Sequence, residues 1–334
     1  MFNFFRNILH PARYHGHDKR PPFFEGWYYK LVSEGGRQRY AIIPGIFLSD
    51  DPDRQHAFVQ VLDGVTGRSA YHRYPADAFW AARDAFHLRI GDSDFTADRI
   101  RLNVEGEELG VQGELRFEGI TPWPVRLTSP GIMGWYAWVP FMETYHGVVS
   151  LDHGIEGGLT VEGATVDFSG GRGYIEKDWG RAFPAAWIWL QANHFDAPGT
   201  SLTASVAIIP WLRGSFPGFI LGLWHEGQLY RFATYTGARI ASLDIGDRVV
   251  EWRVVDDHYR LHMTATRPQG GLLQAPTTVG MDRRIAETMD ARVDVRLEEL
   301  GGGAEVFSGT GRYACLEAVG DLDRLRGLWV GDEG

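Results

Sequence analysis

Apolar and polar side chains alternate at every second position over most of the chain. In Ala291–Leu297, Val293, Val295 and Leu297 fall on one face, while Arg292, Asp294 and Arg296, with Glu298 beyond them, fall on the other. Val250, Trp252 and Val254 likewise oppose Glu251 and Arg253. A period of two is that of a strand with one face buried and one wet. Similar runs occupy Tyr28–Val32, Ala57–Leu62, Ile100–Val104, Val111–Phe117, Gly147–Leu151, Leu202–Ile208, Phe219–Trp224 and Gln228–Thr234. Between them stand turn signals such as Asp63-Gly64, Glu105-Gly106, Glu226-Gly227 and Gly301-Gly302-Gly303. This amounts to about sixteen to twenty strands at the spacing of antiparallel sandwiches and barrels. Helical spacing is confined to Phe2, Phe5 and Leu9 and to Asp321–Leu328. Without amphipathic helices between strands, a parallel βαβ sheet is excluded. The pattern predicts an all-β chain of two consecutive antiparallel β-barrel or half-barrel domains packed together, residues 1–170 and 171–334. The boundary is expected in the glycine-dense stretch Gly154–Gly173. Phe24–Tyr29 and Phe183–Trp189 look like the openings of equivalent strands.

Composition narrows the function classes. The 334 residues carry 33 basic and 43 acidic side chains, a net charge of −10 with no basic block. Nucleic acid, which demands Lys/Arg neutralisation of phosphates, is therefore not an expected partner. Cys315 is the single cysteine, so no intrachain disulfide forms. The 12 Trp, 13 Tyr and 19 Phe stand out and point to a large aromatic-lined interior. Neither the N-terminal residues, interrupted by Arg6 and Pro11, nor the longest uncharged run, Leu127–Met142, broken by Pro130, Gly131, Gly134 and Pro140, reads as a membrane span. A cytoplasmic location is expected. Residues 1–10, with Phe2, Phe4, Phe5, Ile8 and Leu9, offer a weak peripheral membrane contact that the acidic net charge opposes.

Familiar nucleotide and hydrolase motifs are missing: there is no G-x-x-x-x-G-K-[ST] loop and no G-x-S-x-G elbow. His10, His15 and His17, and likewise Glu143, His146, Asp152 and His153, lack recognised metal-ligand spacing, so neither a metal nor another cofactor is expected. The richest stretch is Gly170–Phe195. If it is a strand, Trp187–Phe195 puts Trp187, Trp189, Gln191, Asn193 and Phe195 on one face and Ile188, Leu190, Ala192 and His194 on the other. Two indoles beside two amides suit a mostly apolar ligand site, or else the amides only tie strands together. Upstream, Tyr174, Glu176, Lys177, Asp178, Trp179 and Arg181 crowd together. A carboxyl in an aromatic pocket would be held neutral and act as a general acid; alternatively these charges form a salt-bridge cluster. Glu25, Trp27 and Tyr28 open a strand in which Trp27 reads as an indole plugging a barrel end. The segment Gly131–Gly147, with Glu143 and His146, reads as a lid, a pocket wall or plain core.

At Phe24–Lys30 (FEGWYYK), Ile132–Gly134 (IMG), Pro140–Ser150 (PFMETYHGVVS) and Gly170–Phe195, the chain resembles the tocopherol cyclase family, in particular its bacterial branch. The resemblance implies a two-domain, lipocalin-like (calycin-type) fold and affinity for a prenylated quinol, a terpenoid or another long apolar molecule. It also implies an isomerase-type activity without cofactor. A proton adds to an alkene beside the aromatic ring, and the phenolic oxygen captures the tertiary cation. Such chemistry needs a neutral acid, aromatic faces and orienting polar groups. On that reading the acid is Glu176 or Asp178, with Glu25 in reserve. Trp179, Trp187 and Trp189 face the cation, and Tyr28, Gln191 and Asn193 orient the hydroxyls. Trp27, Tyr174 and His146 complete the ligand-binding wall. A lipocalin-like carrier of apolar ligands, with no use for an acid, is the alternative.

Overall fold

In the computed structural model, residues 7–330 are described, with side chains to residue 327. The alternation resolves into two antiparallel sheets of 12 and 10 strands. In the first, the path runs Ser69–Tyr74, His56–Asp63, Arg39–Leu48, Phe23–Val32, Gly171–Gly180, Thr144–Val161, Val111–Glu118, Arg99–Val104 and on through two short strands to Phe79–Ala81, with Ala164–Asp167 paired to Thr144–Val161 off this path. The second runs Gln228–Ala233, Gly214–His225, Ser201–Trp211, Ala186–Ala192, Glu305–Gly320, Arg283–Glu299, Tyr259–Thr266, Val249–Val255 and Arg239–Ile245, with Gly271–Ala275 as the tenth strand off this path. The plan repeats. In each sheet the strand that begins an initial meander of four is joined on its other edge to a strand from the end of its series: Phe23–Val32 to Gly171–Gly180, and Ala186–Ala192 to Glu305–Gly320. Phe24–Tyr29 and Phe183–Trp189 thus do open equivalent strands.

Each sheet carries its own core. Trp27, Tyr29, Leu31, Ile42, Phe95, Leu115 and Ile175 lie in the first, and Ile188, Leu190, Leu202, Leu221, Val293 and Leu316 in the second. Two compact units result: residues 1–183 with 271–285, and residues 184–270 with 286–334. The division falls at 183/184, not at 170/171, because Gly171–Gly180 is hydrogen bonded on both edges inside the first sheet. The glycine-dense stretch is therefore no linker. At Gly157 (φ 111°) a Cβ would come within 2.5 Å of the Glu114 carbonyl oxygen, so glycine is what lets two strands approach. Segment 271–285 joins the first unit through Met281, packed with Phe24, Phe47 and Phe58. The Gln60 amide also clasps the backbone of Gln274 at 2.7 and 2.9 Å. A helix does close the chain, at Leu322–Val330. The expected stripe of Phe2, Phe5 and Leu9 lies for the most part outside the described residues. No helix among the described residues is long and apolar enough to cross a membrane.

Candidate active site

Strand Gly171–Gly180 presents two charged clusters, one on each face. On the core side, Lys177 is fully buried. Its ammonium is bonded to Glu25, to the Arg13 carbonyl at 2.6 Å and to His15 Nδ1 at 3.1 Å. It lies 4.5 Å from the Trp27 ring and 4.7 Å from the Trp179 ring. The backbone N–H of His15 donates to both Glu25 oxygens, at 3.1 and 2.9 Å, and its imidazole stacks on Trp179 at 4.2 Å. Burial lowers the Lys177 pKa to about 8 against the pull of Glu25. Burial pushes the Glu25 carboxyl upward, yet Lys177 and His15 overcome it and hold that pKa below the usual range. Glu25 is thus a buried ionised partner, the reverse of the neutral acid in reserve. Trp27 donates its Nε1–H to the Ala12 carbonyl at 3.1 Å. It anchors the N-terminal segment to the core of the first unit. Trp179 is enclosed between His15 and Tyr145, the latter 5.5 Å away and stacked. Both indoles spend their faces on the protein's own groups and leave none for a ligand.

On the opposite face the even-numbered residues line up with their neighbours in register. Glu176 lies across from Tyr28 on one side and Val148 on the other; Asp178 lies across from Gly26 and His146. His146 Nδ1 is 2.9 Å from Asp178 Oδ1, and its Nε2 is 3.4 Å from Glu176 Oε2. The Tyr174 hydroxyl donates to Glu176 Oε2 at 2.5 Å. Burial alone would lower the His146 pKa, but the Glu176 and Asp178 charges and the Asp178 hydrogen bond raise it to about 9. The imidazolium therefore holds a proton at neutral pH between two carboxylates. Asp178 is the most open of the three, with 28% of its side chain exposed against 12% for His146 and 6% for Glu176.

These three residues also have one donor atom each within 4.8 Å of one another, the spread of a metal site. The geometry fits a proton better. His146 gives Nδ1 to Asp178 in a hydrogen bond and leaves Nε2 3.4 Å from Glu176 without one, whereas a single ion takes one imidazole nitrogen and draws the carboxylates to that same side. Of the other residues in the group Glu143, His146, Asp152 and His153, Asp152 pairs with Arg172 at 2.7 Å, and His153 Nδ1 lies 2.9 Å from the Ser150 hydroxyl.

In the second unit, alternation along Ala186–Ala192 is as expected. Ile188, Leu190 and Ala192 enter the core, and Trp187, Trp189, Gln191 and, just past the strand, Asn193 take the other face, all buried. Phe195, expected on that second face, enters the core instead, because the strand ends at Ala192 and the alternation does not extend to it. Trp187 Nε1 donates to Glu317 Oε2 at 2.5 Å. Glu317 lies across from Trp189 on one side and Glu287 on the other. Sequence reasoning missed both glutamates. The available signal was an acid in the alternating run Tyr313, Cys315, Glu317 and Val319, on the face opposite Ala314, Leu316 and Ala318. A cavity of about 360 Å³ opens in the first unit beside Gln60, Tyr71, His72, Gln274 and Arg284, and none of the candidate catalytic or ligand-binding residues expected from the sequence lines it.

Comparison with known proteins bears on this arrangement. The chain is 24% identical to the chloroplastic tocopherol cyclase of Zea mays, covering 92% of this chain and 77% of that protein. The figures are the same for a probable chloroplastic tocopherol cyclase of Oryza sativa subsp. japonica. Among solved structures, CghA with Sch210972 aligns over 90% of this chain and 89% of its own, with a TM-score of 0.56 at 11% identity. A putative AttH of Nitrosomonas europaea aligns over 89% and 92%, with a TM-score of 0.51 at 16% identity. These likenesses concern the fold, two lipocalin-like antiparallel β units. The profile of the family described as Tocopherol cyclase-like matches residues 101–320, a span that includes His146, Glu176 and Asp178, and the chain belongs to that family.

Proposed function

We propose that the protein catalyses a proton-initiated ring closure of an apolar substrate of the prenylated-phenol class, with His146, Glu176 and Asp178 as the proton source. The observation that carries the proposal is the imidazole held between two carboxylates at 2.9 and 3.4 Å, with its pKa raised to about 9. Transfer of that proton along the hydrogen bond from His146 Nδ1 to Asp178 leaves a neutral imidazole and a neutral carboxylic acid, the form alkene protonation needs. Asp178, the most exposed member, hands the proton outward. Tyr174 fixes Glu176 through its hydroxyl.

The reaction balances as an isomerisation. A C–H bond forms at one alkene carbon, the other becomes a tertiary cation, and a C–O bond forms to the phenolic oxygen. The phenolic proton returns to the carboxylate, and nothing is oxidised or reduced. Turnover of a prenylated hydroquinone tests this. Asp178→Asn, Glu176→Gln and His146→Gln are each expected to lower kcat by roughly 10²–10⁴-fold. The wild-type rate should fall as pH rises through about 9, where the imidazolium loses its proton. Tight retention of the quinol without turnover in the wild type would assign carriage of apolar ligands instead. Full activity in all three variants would remove the cluster from the reaction.

A further inference from the structure

We infer that the segment between Trp123 and Met142 is a membrane-docking loop that inserts apolar side chains at the headgroup–acyl boundary of a bilayer. Two sets of residues alternate within it. Trp123, Ile132, Met133, Val139 and Met142 are buried and anchor it, while Leu127, Phe141, Trp135 and Val125 are 69%, 56%, 46% and 40% exposed. The exposed set is not a frayed end. The Trp138 indole donates to the Leu127 carbonyl at 3.1 Å, the Tyr145 hydroxyl donates to the Val139 carbonyl at 2.5 Å, and Gly134–Trp138 forms a 3-10 turn between them.

Water gains nothing from a hydrogen-bonded loop that shows a Leu, a Phe and a Trp, so the arrangement implies an apolar surface to receive them. Charge says which. In a chain with 43 acidic residues, residues 121–142 contain no Asp or Glu and one basic residue, Arg126, which is exposed. An acid-free apolar tip with a single cation suits the interfacial zone, where Trp settles and Arg meets lipid phosphate. Four side chains are far fewer than the roughly 20–30 residues a side of a stable protein–protein contact, and a net charge of −10 sets copies of the chain against one another. The inference also moves the expected membrane contact from residues 1–10 to this loop. Ile8 and Leu9 are partly buried, and Phe2, Phe4 and Phe5 lie outside the described residues.

The test is flotation of the full chain with phosphatidylcholine vesicles, with no substrate present, so that its outcome is independent of the proposed cyclisation. The wild type is expected to float. Leu127→Ser/Trp135→Ser/Phe141→Ser should lower partitioning by at least about tenfold while retaining the wild-type circular dichroism and unfolding midpoint, because all three side chains are exposed. Trp135→Ser alone should give a smaller loss in the same direction. Removal of residues 1–6 should leave flotation intact. Absent wild-type flotation, equal flotation of the triple variant, or loss only on removing residues 1–6 would overturn the inference. So would a vesicle-free dimer, seen by light scattering, that the triple variant disperses.

Discussion

Lys177, fully buried, and His146, mostly buried, are cations at opposite faces of one strand, and their environments drive them in opposite directions. Around Lys177 the cost of burial outweighs a single carboxylate, and its pKa falls from 10.5 to about 8. Around His146 two carboxylates outweigh burial, and its pKa rises from 6.5 to about 9. A group titrating higher in the folded than in the unfolded chain stabilises fully below its unfolded pKa, and that contribution is lost as pH rises through the folded pKa. Unfolding free energy is therefore expected to decline with pH above about 6.5, and most cleanly up to about 8. Beyond that point Lys177 begins to contribute with the opposite sign. Urea titrations at a series of pH values check this; His146→Gln should flatten the decline, and an unchanged slope in that variant would locate its origin elsewhere. The sequence revealed the charge-dense stretch at Tyr174–Arg181 but not its division. Lys177 pairs with Glu25 across 152 positions and His146 with Asp178 across 32, separations that only the sheet register closes.

At the scale of the element, period-two alternation was a good guide wherever one face meets a core. Ala57–Leu62 is found as His56–Asp63, Val111–Phe117 as Val111–Glu118, and Val250–Val254 within Val249–Val255. It failed where strands are long, glycine-rich and bulged. Gly147–Leu151 proves to be one piece of Thr144–Val161, whose register against Gly171–Gly180 shifts between Val148 and His153. Glycine in these two strands marks close approach. A Cβ on Gly173 would collide with His153 Nε2 and lie 2.9 Å from the Lys30 carbonyl oxygen. Gly173→Ala is accordingly expected to cost about 1–3 kcal/mol in urea unfolding. Gly214→Ala, where a Cβ meets open space, should stay within about 0.5 kcal/mol. Equal effects at the two positions would mean that the close approach is not what requires glycine. Segment 271–285 could not be assigned from pattern, because what binds it to the first unit is the side chain of Gln60 and the ring cluster around Met281.

At the scale of the molecule, the doubled plan was visible as two aromatic strand openings, at Phe24 and Phe183, and the sheets bear it out in their strand order. The resemblance quoted from those openings and from Gly170–Phe195 agrees with the family match over residues 101–320. What the alternation could not reveal is which indoles remain for chemistry. Trp27 and Trp179 alternate like ligand-facing residues, yet both are occupied by Lys177, while Trp187 is tied to Glu317. The account of function therefore rests on the proton between His146, Glu176 and Asp178. Turnover of a prenylated hydroquinone in D₂O, read by mass spectrometry and NMR of the product, tests it most directly. One deuterium on the carbon next to the new C–O bond, at a rate that collapses in His146→Gln and Asp178→Asn, is the expected result. Product free of solvent deuterium at that carbon, or deuterium delivered at an unchanged rate by both variants, would contradict it.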